Sequence, residues 1–138
     1  MAITNQERVG KGMELLRDGL RPFIEREMRL RLSESWGMDV QDTLSDTRLK
    51  GDSEDSLQDV AAQRVVRDRH WNNVFKHVLG KAERSLVNEI IEVRNRWAHQ
   101  KPFSSDDAER ALDSMARLLT AVSASQAAEV EKMKLELR

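Results

Sequence analysis

The stretch SLVNEIIEVRNRWAHQKPFSSDD, residues 85–107, contains most of one helix, its end and the start of the next helix. At about 100° per residue, the apolar residues of its first part fall in one broad arc, which predicts the face that packs against the core. The arc consists of Leu86, Val87, Ile90, Ile91, Val93, Trp97 and Ala98. Pro102 stops the pattern, and Ser104 with Asp107 forms a capping box. The stretch therefore predicts a helix from about Ala82 to His99 and a second helix after Ser104.

Polar residues on the first of these helices form a strip beside the apolar arc. Asn88, Glu92, Asn95 and His99 recur at steps of four, three and four, so Asn95 and His99 share a face one turn apart. Arg94 instead falls inside the arc, where an unpaired guanidinium would be costly to bury. Arg94 therefore needs a partner there, or a groove that a second surface completes.

Two interpretations of Arg94, Asn95 and His99 follow from the residues alone. In the structural one, Asn95 and His99 are solvated, and Arg94 extends its charge to water along its aliphatic stem. In the functional one, His99 transfers protons near neutral pH, Arg94 holds a phosphate, and Asn95 orients either group. The second set of roles suits cleavage of a phosphodiester without a metal ion.

The rest of the chain also predicts helices, so the expected fold class is all-α. Aromatic residues make up 4% and prolines number two, while helix-forming residues are plentiful. A first helix is expected from a Thr4–Glu7 capping box to residue 35, either bent at Pro22 or divided there into two. After it we expect a loop over residues 37–56, helices over 57–71 and 74–79, and an apolar stripe from Ala108 to Val122. We expect a helical domain over residues 1–125 and, over 126–138, a helical extension or linker toward a further domain.

Composition limits the functional classes. The chain has no cysteine, which excludes thiol chemistry and disulfides. It has no leader-like segment and no run of about 18 apolar residues, so we expect a soluble, cytoplasmic protein without membrane contact. A net charge of −1 provides no global field for nucleic acid, so phosphate contacts would need a local cluster.

Neither a metal ion nor another cofactor is expected. His70 and His77 would lie about 10 Å apart along a helix, too far to bind one ion. The three tryptophans, Trp36, Trp71 and Trp97, are expected to be core or interface anchors rather than platforms on which bases stack.

The sequence RNRWAH, residues 94–99, matches the R-N-x-x-x-H motif of the HEPN superfamily, compact helical domains of which many are RNA endonucleases. The wider stretches RVGKGMELLRDGLRPFIEREM (8–28) and WNNVFKHVLGKAERSLVNEIIEVRNRWAHQKPFSSDDAERALDSMARLL (71–119) resemble one branch of it. That branch is related to the HEPN domain of a yeast nuclear RNA endonuclease. In prokaryotes it is found at the amino terminus of large ATPase or helicase-like proteins, some associated with phage defence. The resemblance covers roughly residues 7–122.

The resemblance implies a helical bundle that forms a two-fold symmetric homodimer, with two copies of the motif across a shared cleft. In active relatives the RNA 2′-hydroxyl attacks the adjacent phosphate, leaving a cyclic phosphate and a 5′-hydroxyl without a metal. Here His99 would be the general acid or base, Arg94 would hold the scissile phosphate and Asn95 would orient the site. The implied function is an endoribonuclease acting in phage defence or an RNA stress response. The alternative is a non-catalytic dimerisation or sensing module that regulates an attached ATPase or helicase.

Overall fold

The computed structural model describes residues 3–32, 63, 66, 67, 69–71 and 74–137. Its elements are α1 (Asn5–Leu32), a 3-10 helix (Phe75–His77), α2 (Lys81–Ala98), α3 (Ser105–Ala121) and α4 (Ala127–Leu135). Every regular element within these residues is helical, which confirms the all-α fold class.

Helix α1 is one continuous helix and not two in tandem. It begins after Thr4, whose hydroxyl oxygen accepts a hydrogen bond from the Glu7 backbone N–H at 3.0 Å, as the capping box predicts. Pro22 lies inside the helix on its exposed side. Apolar residues at steps of three and four are buried along the whole length of α1: Val9, Met13, Leu16, Leu20, Phe23, Ile24 and Met28.

Helix α3 is the centre of the bundle and contacts α1, α2 and α4. Its predicted apolar stripe is buried, with Ala108, Ala111, Leu112, Met115, Leu118 and Leu119 each at most 1% exposed. The backbones of α1 and α3 approach closely at two glycines. A Cβ atom on Gly12 would lie 2.7 Å from Leu112 Cδ2, and one on Gly19 would overlap Leu119 Cδ2. The absence of a side chain at both positions therefore lets the two helices pack tightly.

Helix α4 packs against α3 through buried Val130 and Met133. The Lys134 amine joins the two helices, because it lies 3.1 Å from an Asp113 carboxylate oxygen and 2.7 Å from one of Glu131. These carboxylates, Glu131 first, raise the pKa of Lys134. A further domain after residues 126–138 stays a prediction.

Two expectations need correction or lie outside the described residues. The short element before Gly80 is a 3-10 helix of three residues, Phe75–His77, and not a helix over 74–79. Three predicted parts lie wholly or mostly outside the described residues: 33–35 of the first helix, the loop over 37–56 and the helix over 57–71. Within the last of these, residues 63, 66, 67 and 69 are described and are helical. Among the helices that are described, none is long and apolar enough to cross a membrane.

Candidate functional site

The three candidate residues lie at the carboxy-terminal end of α2. Arg94 is half-buried, Asn95 is exposed, and His99 is exposed at the position that caps the helix. The His99 backbone N–H donates to the Asn95 carbonyl at 3.1 Å, and Gln100 then takes a left-handed backbone conformation with φ of 56°. The helix therefore ends in a defined turn, and Asn95 and His99 share one face as predicted.

Arg94 and Asn95 are in direct contact. Arg94 Nη1 donates to Asn95 Oδ1 at 3.4 Å, a long hydrogen bond that turns the guanidinium toward the polar strip. This hydrogen bond gives the Arg94 guanidinium one of the polar partners that it needs inside the apolar arc. It also leaves the two Asn95 N–H groups as donors, since the carbonyl oxygen is the accepting atom.

The apolar arc is buried in its middle and exposed at its end. Val87, Ile90 and Ile91 are buried, whereas Ala98 is exposed and Trp97 is 38% exposed. The prediction that the arc is core along its whole length is therefore wrong for Trp97 and Ala98. The physical reason is that α1 begins at Asn5, opposite Trp97, so no earlier turn of α1 extends over the end of α2.

Trp97 fixes the end of α2 to the start of α1. Its indole Nε1 donates to the Gln6 carbonyl at 3.1 Å, and Gln6 Nε2 donates back to the Trp97 carbonyl at 3.1 Å. The indole also lies against Gly10, where an added Cβ would be 3.0 Å from Nε1. Trp97 is therefore an anchor, as expected, but a partly exposed one.

Arg96 fixes the turn that follows His99. Its Nη2 donates to the Pro102 carbonyl at 2.9 Å and to Asp107 Oδ2 at 3.3 Å. Its guanidinium lies 4.7 Å from the centroid of the buried Phe103 ring. From the other side, Asn5 Nδ2 donates to the Phe103 carbonyl at 3.1 Å. Both α1 and α2 therefore hold the turn that carries His99.

The contacts of Arg96 with Pro102 and Phe103 form a clamp on the turn, and Asp107 connects this Arg96 clamp to α3. It forms the predicted capping box, in which its N–H donates to Ser104 Oγ at 3.0 Å and the Ser104 N–H donates to Asp107 Oδ2 at 3.3 Å. The Ser104 backbone N–H is the largest of the interactions that hold the pKa of Asp107 below its usual value, and the Ser104 side chain and the Arg96 guanidinium add to it.

Sequence reasoning missed the residues that support the motif: Asn5, Gln6, Arg96, and Trp97 in its link to α1. The helical pattern contains no signal for them, because Gln6 and Trp97 are 91 positions apart in the chain. The capping box indicated Asp107, but nothing in it indicated that Arg96 would reach the same carboxylate.

Two histidines, His70 and His77, lie outside the motif. His70 is half-buried, and the His77 side chain lies outside what the structure describes. In the part of the chain that is described, no three His, Asp or Glu side chains are placed to hold a metal ion.

Comparison with known proteins identifies the family. The family model for Swt1-like HEPN matches residues 11–123, which is most of the chain. The chain belongs to the Swt1-like HEPN family. The matched region of this HEPN domain includes α2, α3 and all of the motif, and it confirms the resemblance to both the superfamily and its branch. No curated protein and no solved structure matches the chain.

The end of α2 in this HEPN domain has the groups that phosphodiester chemistry uses. An exposed imidazole can accept or donate a proton near neutral pH. A guanidinium can bind two phosphate oxygens at once and oppose charge that develops on them. His99 and Arg94 carry these groups, and the Asn95 amide lies between them on the same two turns of helix.

Proposed function

We propose that this HEPN domain is a metal-independent endoribonuclease whose catalytic residues are Arg94, Asn95 and His99. The observation that carries the proposal is the end of α2, where Arg94 donates to Asn95 and exposed His99 follows one turn later. The contacts of Arg96 and Trp97 support it, because they fix the backbone on both sides of His99. Fixed geometry is what a catalytic histidine needs to reach its proton in a productive position.

In the proposed reaction, His99 takes the proton of an RNA 2′-hydroxyl, and the oxygen attacks the adjacent phosphorus. The bond from phosphorus to the 5′-oxygen breaks, and that oxygen gains a proton. The products are a 2′,3′-cyclic phosphate and a 5′-hydroxyl. Arg94 opposes the charge that builds on the phosphate oxygens, and an Asn95 N–H donates to a phosphate oxygen or orients His99.

A two-fold homodimer is part of the proposal. A second copy facing the first would place another His99 across the cleft, which could supply the proton to the leaving oxygen. The half-buried position of Arg94, at the edge of the core, supports a groove that a second copy completes. Sedimentation should show a dimer at micromolar concentration, and a wholly monomeric species would contradict the shared cleft.

The second candidate is a non-catalytic dimerisation or sensing module that regulates an attached ATPase or helicase. The net charge of −1 favours it, because a domain that binds RNA independently usually has a basic surface. In either case we place the protein in the cytoplasm, in phage defence or an RNA stress response. Cleavage of RNA by the domain is the property that separates the two candidates.

The test is a comparison of His99→Ala with the matched variant His70→Ala. Both remove one imidazole, exposed at His99 and half-buried at His70, but only His99 lies in the motif. Cleavage should disappear in His99→Ala and persist in His70→Ala, with both proteins folded by circular dichroism. Equal cleavage by the two variants would reject His99 as a catalytic residue. Absence of cleavage by the wild type, on its own and in its full-length protein, would favour the regulatory module.

A further inference from the structure

A groove of about 550 Å³ lies beside the motif, between the start of α1 and the turn after α2. It is lined by Gln6, Trp97, Ala98, Gln100 and Pro102. Ala98 and Gln100 are the chain neighbours of His99 on either side. The groove is therefore next to the candidate catalytic residue. None of its five lining residues is among the three that the proposed reaction uses.

The groove has a rigid apolar surface. The Trp97 indole is held by its bond to the Gln6 carbonyl and its contact with Gly10, yet 38% of the residue is exposed. The volume lies within the range of about 300–1,000 Å³ that is typical of small-molecule sites. An exposed, fixed indole is also a surface on which a planar ring can stack at little entropic cost.

The charge pattern identifies the kind of ligand. None of the five lining residues is charged, and Gln6 and Gln100 contribute amides that can donate and accept hydrogen bonds. Cationic residues are close to the lining residues: Arg96 donates to the Pro102 carbonyl at 2.9 Å. Along the chain, exposed Lys101 lies between Gln100 and Pro102, and Arg94 lies one turn before Ala98. A neutral groove with cations at its edge matches a nucleotide, whose base is planar and neutral and whose phosphate is anionic. An acidic peptide would instead need cations inside the groove.

We propose that this groove binds one nucleobase of the RNA, next to the phosphate that is cleaved, which rests on the proposed ribonuclease function. The base stacks on Trp97, a role that the sequence alone did not favour. The Gln100 amide contacts the edge of the base, and Arg94 and Lys101 meet the flanking phosphates. The groove thereby positions single-stranded RNA for His99. A base paired in a duplex could not enter, so the substrate is single-stranded at this position.

The binding test uses wild-type protein and a 2′-O-methyl trinucleotide, which cannot undergo attack by the 2′-hydroxyl. The Trp97 indole N–H resonance, assigned by its loss in Trp97→Phe, should shift on titration together with the Gln100 amide. A trinucleotide of the same charge that lacks the central base should shift neither. If the two ligands give the same response, or if neither shifts these resonances, the groove is not a base site.

Two variants separate loss of the site from loss of the fold. Ala98→Leu fills the groove without changing charge, and Ala82→Leu adds the same side chain at the exposed first turn of α2. Ala98→Leu should weaken binding of the trinucleotide on the order of 10- to 100-fold, as loss of a stacking surface does, and Ala82→Leu should not. Gln100→Gly removes the amide at a position with φ of 56°, which glycine adopts readily, so this variant should stay folded while it loses base selectivity.

The outcomes distinguish this site from the ribonuclease itself. The wild type could cleave RNA while trinucleotide binding is unaffected by loss of the base, by Ala98→Leu and by Gln100→Gly. That result would overturn the base site and leave the ribonuclease function intact. Base-dependent binding without cleavage would support the site and count against the ribonuclease. If Ala98→Leu instead changes the oligomeric state without RNA and leaves trinucleotide binding unchanged, the groove is an interface between copies and the base site is overturned.

Discussion

Replacement of Arg96 by alanine removes the side chain that joins the end of α2 to the turn carrying His99. Two lost contacts matter most for stability: the hydrogen bond to the Pro102 carbonyl at 2.9 Å and the position of the guanidinium over the Phe103 ring at 4.7 Å. The ion pair with Asp107 at 3.3 Å is also lost, but exposed pairs contribute little. The Arg96 side chain is 41% exposed, so each contact is worth about 1 kcal/mol rather than the larger value of a fully buried one. We therefore expect the free energy of unfolding to fall by about 2 kcal/mol, which lowers the melting temperature by roughly 6–8 °C.

The effect on catalysis should exceed the effect on stability. Without Arg96 the turn after His99 loses its side-chain link to α2, and the side-chain link to α1 from Asn5 to Phe103 remains. A displacement of about 1 Å at a catalytic group costs on the order of 100-fold in rate. We expect kcat for RNA cleavage to fall on the order of 10- to 100-fold, with little change in KM. Arg96→Lys should lie between the wild type and Arg96→Ala, because lysine keeps the charge but cannot bond two acceptors with one planar group.

Arg117→Ala is the matched control for this experiment. Arg117 is also an exposed, paired arginine, but its Nε lies 2.8 Å from a carboxylate oxygen of Asp113 on the same helix, α3. Urea unfolding gives the stability of each variant, and single-turnover cleavage of end-labelled RNA gives its rate. If Arg96→Ala matches Arg117→Ala in both measurements, the clamp does not position His99.

Two further predictions concern packing and pH. Gly19→Ala should be about 1–3 kcal/mol less stable than Gly10→Ala in urea unfolding, although both gain helix propensity. The Gly10 Cβ would lie 3.0 Å from the partly exposed Trp97 indole, whereas the Gly19 Cβ overlaps buried Leu119. Equal stabilities would contradict the close approach of α1 and α3. The folded-state pKa of Asp107 is lowered, so its stabilising contribution is complete above the unfolded pKa of about 3.9 and is lost as pH falls through the folded pKa. The stability difference between wild type and Asp107→Asn should therefore be constant from neutral pH to about 5 and shrink below about 4; a difference that is still constant at pH 3 would show that Asp107 is not held ionised.

The fold was predictable because its signals are local. The Thr4 and Ser104 caps, and the stripe that α3 buries, each depend on residues within a few turns of one another. The family motif likewise lies within six positions, residues 94–99. Local patterns of this kind fix where a helix begins and which face it buries.

The contacts that hold the motif in place were not predictable from those patterns, because they join distant parts of the chain. A helical pattern assigns Trp97 and Ala98 to the core, since it assumes that the arc is covered along its whole length. Whether the last turn is covered depends on where α1 begins relative to α2 in space, and the sequence near Trp97 does not contain that information. The Arg96 clamp depends in the same way on how the turn places Pro102 over the end of α2.

The central claim is tested most directly by the ends of the RNA products. Purified domain and its His99→Ala variant are incubated with end-labelled single-stranded RNA in EDTA, and the product termini are identified. The proposed mechanism predicts 2′,3′-cyclic phosphate and 5′-hydroxyl ends with the wild type and no cleavage by His99→Ala. The same products from both proteins, or 5′-phosphate ends from the wild type, would contradict it.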